Sequence, residues 1–371
     1  MTAQVTRAGV VIRHRHLAGW RAAAGPPYAD LRDGERARMA GTRAEAAGDG
    51  RGSAVRGRSL EALGFTDVPA LRPLTYPGRP VDGPSLLDGD DLLELRPTGG
   101  PLGEWPVQLP GAPRGTTVDG LLARRGLDPV AARFPVLAVG SNAAPGQVRH
   151  KLARLGRSRA LPMVPVRVRG LAVGLSAHVS PAGYVAAAPY VVPGATSALV
   201  LTWLDAAQLA AVDRTELPNY ARAFLPGDGD GDGDGDGESD DGGEPDDGGE
   251  PDDTGDADAT GDVPFAVTLP GGRRLPGAYV YHSARGVLAR PAPDRTPLRC
   301  GPQPAVLAGL LAGSARLREL FGPTPESWVT RAAADPALRA LGTAAFVTEG
   351  LLRREEGFAP YAAGPDTRPL G

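Results

Sequence analysis

Gly140, Ser141 and Asn142 end an apolar run and stand directly before a stretch with helical periodicity. A helix N-terminus offers unpaired backbone N–H groups and a partial positive charge. A glycine just before it lets a ligand approach the main chain closely. With two side-chain donors added, such a corner suits a carboxylate or carbonyl oxygen. Ser and Asn are also ordinary helix caps, so the tripeptide alone fits a structural role better. It is too small for a phosphate loop, and no Gly-x-x-x-x-Gly-Lys-Ser/Thr occurs in the chain.

A second stretch changes that balance. Asp213 and Glu216 follow a short apolar-periodic segment, and Tyr220 and Arg222 follow Leu217-Pro218 on a β-rich run. A carboxylate between a helix end and a strand entry can be partly enclosed, which raises its pKa toward the range useful for a general base. The plainer alternatives for Glu216 are a surface carboxylate or a partner of Arg214 or Arg222.

Other chemistry is narrowed by composition. Lys151 is the only lysine among 40 basic residues, a bias expected of a GC-rich genome. Lysine-nucleophile or Schiff-base chemistry would therefore have to use it. Cys300 is the only cysteine, which excludes an intrachain disulfide and disfavours a thiolate zinc site. His14, His16, His150, His178 and His282 show no metal-binding spacing. No metal and no cofactor are expected.

The elements that must hold these residues read as follows. Residues 135–139 form a buried strand. A helix follows, capped by Ser141 or Asn142, with Pro145 in its first turn and Gly156 at its end. Val148, Leu152 and Leu155 make its apolar stripe, with Arg149, His150, Lys151 and Arg154 on other faces. Residues 164–179 are β-rich, with Gly170 and Gly174 marking bends or bulges. Two further strands, near 183–192 and 195–204, lead to a capping box at Asp205-x-x-Gln208 and a helix over 205–213. Strands follow at 219–225, 264–269 and 273–283, the last two as a hairpin. After residue 300 the chain turns helical, with Thr324 as a cap and Pro325 in the first turn behind it.

Residues 228–262 carry 17 acidic and no basic side chains; the remaining 26 acidic residues face 40 basic ones, a formal +14. The basic residues are scattered without interleaved aromatics, so self-screening and solubility explain the asymmetry better than nucleic-acid binding. Asp230, Asp232, Asp234 and Gly235 fit the start of an EF-hand loop. Position 12 of that loop is Asp241 in place of a bidentate Glu, and no helix flanks it, so a solvated low-complexity linker is the expectation. Such an insertion is tolerated because closure cost grows only logarithmically with length. No run of 18 apolar residues occurs and the first residues do not make a signal peptide, which points to a cytoplasmic protein without membrane contact.

Taken together, Val139-Gly140-Ser141-Asn142, the segment 212–222 and the aromatic strand 278–283 resemble the gamma-glutamylcyclotransferase-like (AIG2-like) family over about residues 134–283. The chain departs from the family pattern at Val139, where the family has tyrosine, and at Ala143, where it has a larger apolar residue. The resemblance implies an α+β fold: a small mixed β-barrel with flanking helices, a disordered acidic insertion and a helical C-terminal extension. The implied organisation is a basic, disordered segment over 1–60, a small irregular subdomain over 61–130, the gamma-glutamylcyclotransferase-like domain over 131–290 with its insertion at 226–263, and the extension over 291–371.

It also implies an activity. Glu216 takes a proton from a substrate α-ammonium, the freed amine attacks the γ-glutamyl carbonyl, and 5-oxoproline forms as an amine or peptide leaves. Substrate contacts fall to Val139, Gly140, Ser141, Asn142 and Tyr220. The partner is then a small γ-glutamyl compound, with no specific nucleic acid. The alternative is a catalytically inactive module of the same fold that binds a small ligand or protein partner, which predicts a blocked or misaligned cavity, or a Glu216 locked in an ion pair with Arg214 or Arg222.

Overall fold

A computed structural model describes residues 58–109, 115–227 and 265–363. The expectations for 1–57, for the acidic run with its Asp230–Asp241 loop, and for the last eight residues lie outside the described residues.

The fold is α+β, built on a ten-stranded mixed sheet. In chain order, β1 (Ser85–Asp88) and β2 (Asp91–Glu94) form a hairpin, and β3 (Pro106–Val107) pairs with β4 (Thr116–Thr117). Helix α1 (Val118–Arg124) precedes β5 (Phe134–Ala138) and α2 (Pro145–Arg154). Two twenty-residue strands follow, β6 (Ala160–Val179) and β7 (Val185–Leu204). After them come α3 (Ala206–Glu216), β8 (Tyr220–Pro226), β9 (Ala266–Thr268), β10 (Gly277–Ser283) and β11 (Val287–Leu288). The helices α4 (Gln303–Gly313), α5 (Ala315–Phe321), α6 (Pro325–Ala334) and α7 (Pro336–Thr348) lead to β12 (Leu352–Arg353).

The strand path runs β12-β11-β6-β7-β5-β10-β8, with β1 and β9 also paired to β6. Among the described strands β5 and β10 are the one parallel pair, and an isolated bridge between Gly227 and Phe265 is also parallel. The path is open, which differs from the expected closed barrel: among the described residues β8 does not pair with β12 or β6. The edge of β8 is instead met by the C-terminal segment. Ala362 bridges Ala223, the Ala363 N–H donates to the Arg222 carbonyl, and Tyr361 packs edge-on against Phe265. A short covering segment of this kind protects exposed strand N–H and C=O groups without closing the sheet.

The long β6–β7 ladder shifts register at two points, between Arg169 and Leu171 and between Leu175 and Val179. Arg169 faces Thr196, but Leu171 faces Val191, so β7 carries extra residues opposite Gly170, whose φ is 90°. Glycine takes that left-handed backbone without a Cβ penalty, and the bulge turns the sheet over the core. The expected strands near 183–192 and 195–204 are thus the two halves of β7. The expected hairpin over 264–283 forms only beside its turn: Thr268 bridges Arg274, the Leu269 N–H donates to the Arg273 carbonyl and the Leu275 N–H to the Val267 carbonyl. Beyond it the two arms part, β9 pairing with β6 and β10 with β8 and β5.

The flanking segments join the same body. β1 extends the sheet by pairing Ser85–Asp88 with Ala160–Met163 of β6. At the other end, Gln303 of α4 accepts from the Val185 N–H at 2.6 Å, and its amide donates back to the Val185 carbonyl. Trp328 of α6 is fully buried, donates to the Gly183 carbonyl and packs on Phe321. Thr324 caps α6 as expected, in a reciprocal box with Ser327. The helical stretch breaks earlier than its periodicity suggests, at the Ser314 and Asp335 caps. Among the described residues no helix is long and apolar enough to cross a membrane.

Candidate functional site

Strand β5 is buried along its whole length and delivers Val139 and Gly140 at its C-terminal end. Ser141–Ala143 then make one 3-10 turn, and α2 starts behind Ala144 with no side-chain cap. Neither Ser141 nor Asn142 caps the helix. The extra turn lifts both residues off the helix axis and frees their side chains for other partners.

Asn142 uses that freedom to reach across the fold. Its Nδ2 donates to Glu216 Oε1 at 3.1 Å, and its Oδ1 accepts from Lys151 Nζ at 2.8 Å. Lys151 Nζ also donates to Glu216 Oε1 at 2.8 Å. Three side chains from β5–α2 and α3 thus close a triangle. Lys151 lies in the second turn of α2, off the apolar stripe as its periodicity indicates, and its face of the helix is the one that lines the cavity.

Helix α3 runs to Glu216, three residues beyond the expected end, and Glu216 is its last residue. The Asp205–Gln208 capping box starts it, with 2.7 and 2.8 Å bonds in the two directions. Pro218 prevents further helical extension. Arg222 does not pair with Glu216; its guanidinium bonds both oxygens of Asp213, at 2.7 and 2.8 Å, and Tyr281 donates to the same carboxylate at 2.6 Å. Asp213 absorbs the arginine, and Glu216 is left to Asn142 and Lys151.

The Glu216 carboxyl moves opposite to expectation. Burial pushes its pKa up, but the Lys151 ammonium and the Asn142 amide outweigh burial and hold it below the ordinary carboxylate value. With side-chain exposure of 16% for Glu216 and 14% for Lys151, this is a nearly enclosed ion pair. Glu216 is therefore an ionised, weakly basic carboxylate in the unliganded protein.

These groups share a cavity of about 520 Å³ whose wall includes Val139, Gly140, Ser141, Asn142, Glu216 and Tyr220. The same wall carries Tyr76, His178, Tyr184 and Tyr281, which the sequence did not single out. Tyr76 comes from the segment before β1. Its hydroxyl accepts from the Ala187 N–H at 2.6 Å, and the Tyr220 hydroxyl donates to the Ala187 carbonyl at 3.1 Å. Tyr76 stacks on Tyr184 at 4.3 Å. A Cβ on Gly140 would lie 2.2 Å from the Tyr76 hydroxyl oxygen, so the glycine makes room for a phenol supplied by a remote segment.

His178 lines the cavity with its Nδ1 2.6 Å from Ser176 Oγ, which in turn meets Ser283 Oγ at 2.7 Å. Burial, reinforced by Arg285, lowers its pKa to about 4, so the ring is neutral at pH 7. Burial and the Glu216 carboxylate push the Tyr184 phenol up to about 12, against a hydrogen bond from Ser141. Cys300 is buried and its thiol is pushed up to about 12, which leaves it unreactive. Among the described residues no group of three or more His, Cys, Asp or Glu side chains is placed to hold a metal ion.

The arrangement can hold a small ligand between an aromatic wall and a polar corner, with one carboxylate and one ammonium on the ligand side. No family model matches this chain, and no curated protein or solved structure matches it.

Proposed function

We propose that the protein is an amine-releasing cyclotransferase of the gamma-glutamylcyclotransferase-like type, in which Glu216 carries protons for ring closure of a γ-glutamyl compound. The observation that carries this reading is the 3.1 Å bond between Asn142 and Glu216 on the wall of an open cavity large enough for a small ligand. It unites two of the three stretches on which the family resemblance rests.

In this reading the substrate amine gives a proton to the Glu216 carboxylate. The nitrogen lone pair attacks the γ-carbonyl carbon, the ring C–N bond forms, and the bond to the leaving nitrogen breaks. One ammonium proton stays on the ring nitrogen and two depart with the amine, carried by Glu216. Because nucleophile and electrophile belong to one molecule, folding the substrate supplies much of the rate. Donors at the Gly140–Asn142 corner are suited to the developing oxyanion. A ligand carboxylate that draws Lys151 away would return Glu216 toward the more basic value that burial favours.

The second reading, an inactive binding module, draws on one observation: Glu216 is held in an ion pair, with Lys151 as its partner. Incubation with a panel of γ-glutamyl dipeptides and γ-glutamyl amines, assayed for 5-oxoproline, separates the two. Release of 5-oxoproline supports the enzyme; binding without release supports the module.

A further inference from the structure

Among the described residues three charged side chains line the cavity: Lys151, Arg154 and Glu216. His178 is neutral at pH 7, so the wall carries one positive charge in excess. Both cations lie on α2, three residues apart, a spacing that puts side chains on neighbouring positions of one helix face. Their depths differ. Lys151 is 14% exposed and already spends two of its three N–H donors on Asn142 and Glu216, leaving one for a ligand. Arg154 is exposed and makes no hydrogen bond or ion pair with any described residue. On the same wall, the buried His150 Nε2 has no hydrogen-bond partner among the described residues.

We propose that this edge of α2 is a two-step anion site, with Lys151 at depth and Arg154 at the mouth, which selects ligands carrying a carboxylate at each end. An unpartnered guanidinium at a cavity mouth matches a carboxylate in a bidentate fork, a geometry that neither water nor an amine reproduces. The inference rests on the γ-glutamyl reading only for the identity of the inner acyl group. On that reading the outer carboxylate is the one on the leaving portion of the substrate, and Arg154 is the residue that reads it.

The test is calorimetric titration of the whole protein at low ionic strength with two acyl amides, N-glutarylglycine and N-methylglutaramic acid. They share the inner carboxylate and the amide and differ by the outer carboxylate. Neither has an amine, so neither can close a ring, and the result is independent of Glu216 as a base. N-glutarylglycine should bind about tenfold more tightly to the wild type. In R154Q the two affinities should agree within about twofold, and in R154K part of the preference should return. K151Q should weaken both ligands by a similar factor. Equal affinities in the wild type, binding by neither ligand, or a preference that survives in R154Q would overturn the proposal. A preserved preference without 5-oxoproline release from any γ-glutamyl compound would strike the catalytic reading alone.

Discussion

Lys151 Nζ lies 2.8 Å from Glu216 Oε1, so the chain's only lysine is the counter-ion of its candidate base. The pair is held in register by Asn142, which bonds both partners. This relationship sets the protonation state of the site before any ligand arrives.

Removing one partner of this pair should cost more than removing both. K151M leaves an enclosed carboxylate unpaired and should lower stability by about 3 kcal/mol, whereas K151M/E216Q should lie nearer the wild type. Urea unfolding at pH 7 measures both. The depressed Glu216 pKa gives the sign of the acid limb: stability from the pair is full above the ordinary carboxylate range and is lost as pH falls through the depressed folded value. K151M should lack that loss.

His178 gives a second pH dependence of its own. Its folded pKa of about 4 lies below the ordinary value of 6.5, so below pH 6.5 the unfolded chain takes up a proton that the folded chain refuses. Stability therefore falls as pH drops from 6.5 toward 4, by about 2 kcal/mol between pH 7 and pH 5. Denaturant midpoints at the two pH values should show this difference in the wild type and a smaller one in H178Q. Equal slopes in the two proteins would contradict the burial argument.

The sequence made part of this site visible, and the reasons are local. Strand β5, the helix behind Pro145 and the Asp205–Gln208 cap are written in short-range periodicity and capping chemistry, and each forms, with the strand one residue earlier than read and the helix without the expected Ser141 or Asn142 cap. The 3-10 turn at Ser141–Ala143 was hidden, because cap residues look alike whether or not they cap. Lys151 carried one usable signal, its uniqueness, but helical periodicity pointed it away from the core. Tyr76 carried none. It lies in a turn-rich segment 64 residues before Gly140, and long-range contacts bring that segment to the cavity: β1 pairs with β6, the Ala70 N–H donates to Gln147, and the Gln303 N–H donates to the Tyr76 carbonyl. The open sheet was likewise illegible, since a contact between Ala223 and Ala362 has no local pattern.

Tyr76 and Gly140 should be thermodynamically coupled. G140A places a methyl against the Tyr76 hydroxyl and should cost about 1–3 kcal/mol. Y76F removes that hydroxyl and the buried bond from the Ala187 N–H, at about 1–3 kcal/mol. Because the phenylalanine also relieves the clash, the double variant should be less destabilised than the sum of the singles. A double-mutant cycle by thermal or urea unfolding reads this directly; additivity would place the phenol elsewhere.

The most direct test of the central claim is the rate of 5-oxoproline release from γ-glutamyl dipeptides by the wild type and by E216Q, with circular dichroism and melting as fold controls. The account predicts measurable release by the wild type and a loss of about 100- to 10,000-fold in a folded E216Q. Equal rates in the two proteins would remove Glu216 as the proton carrier and contradict the account.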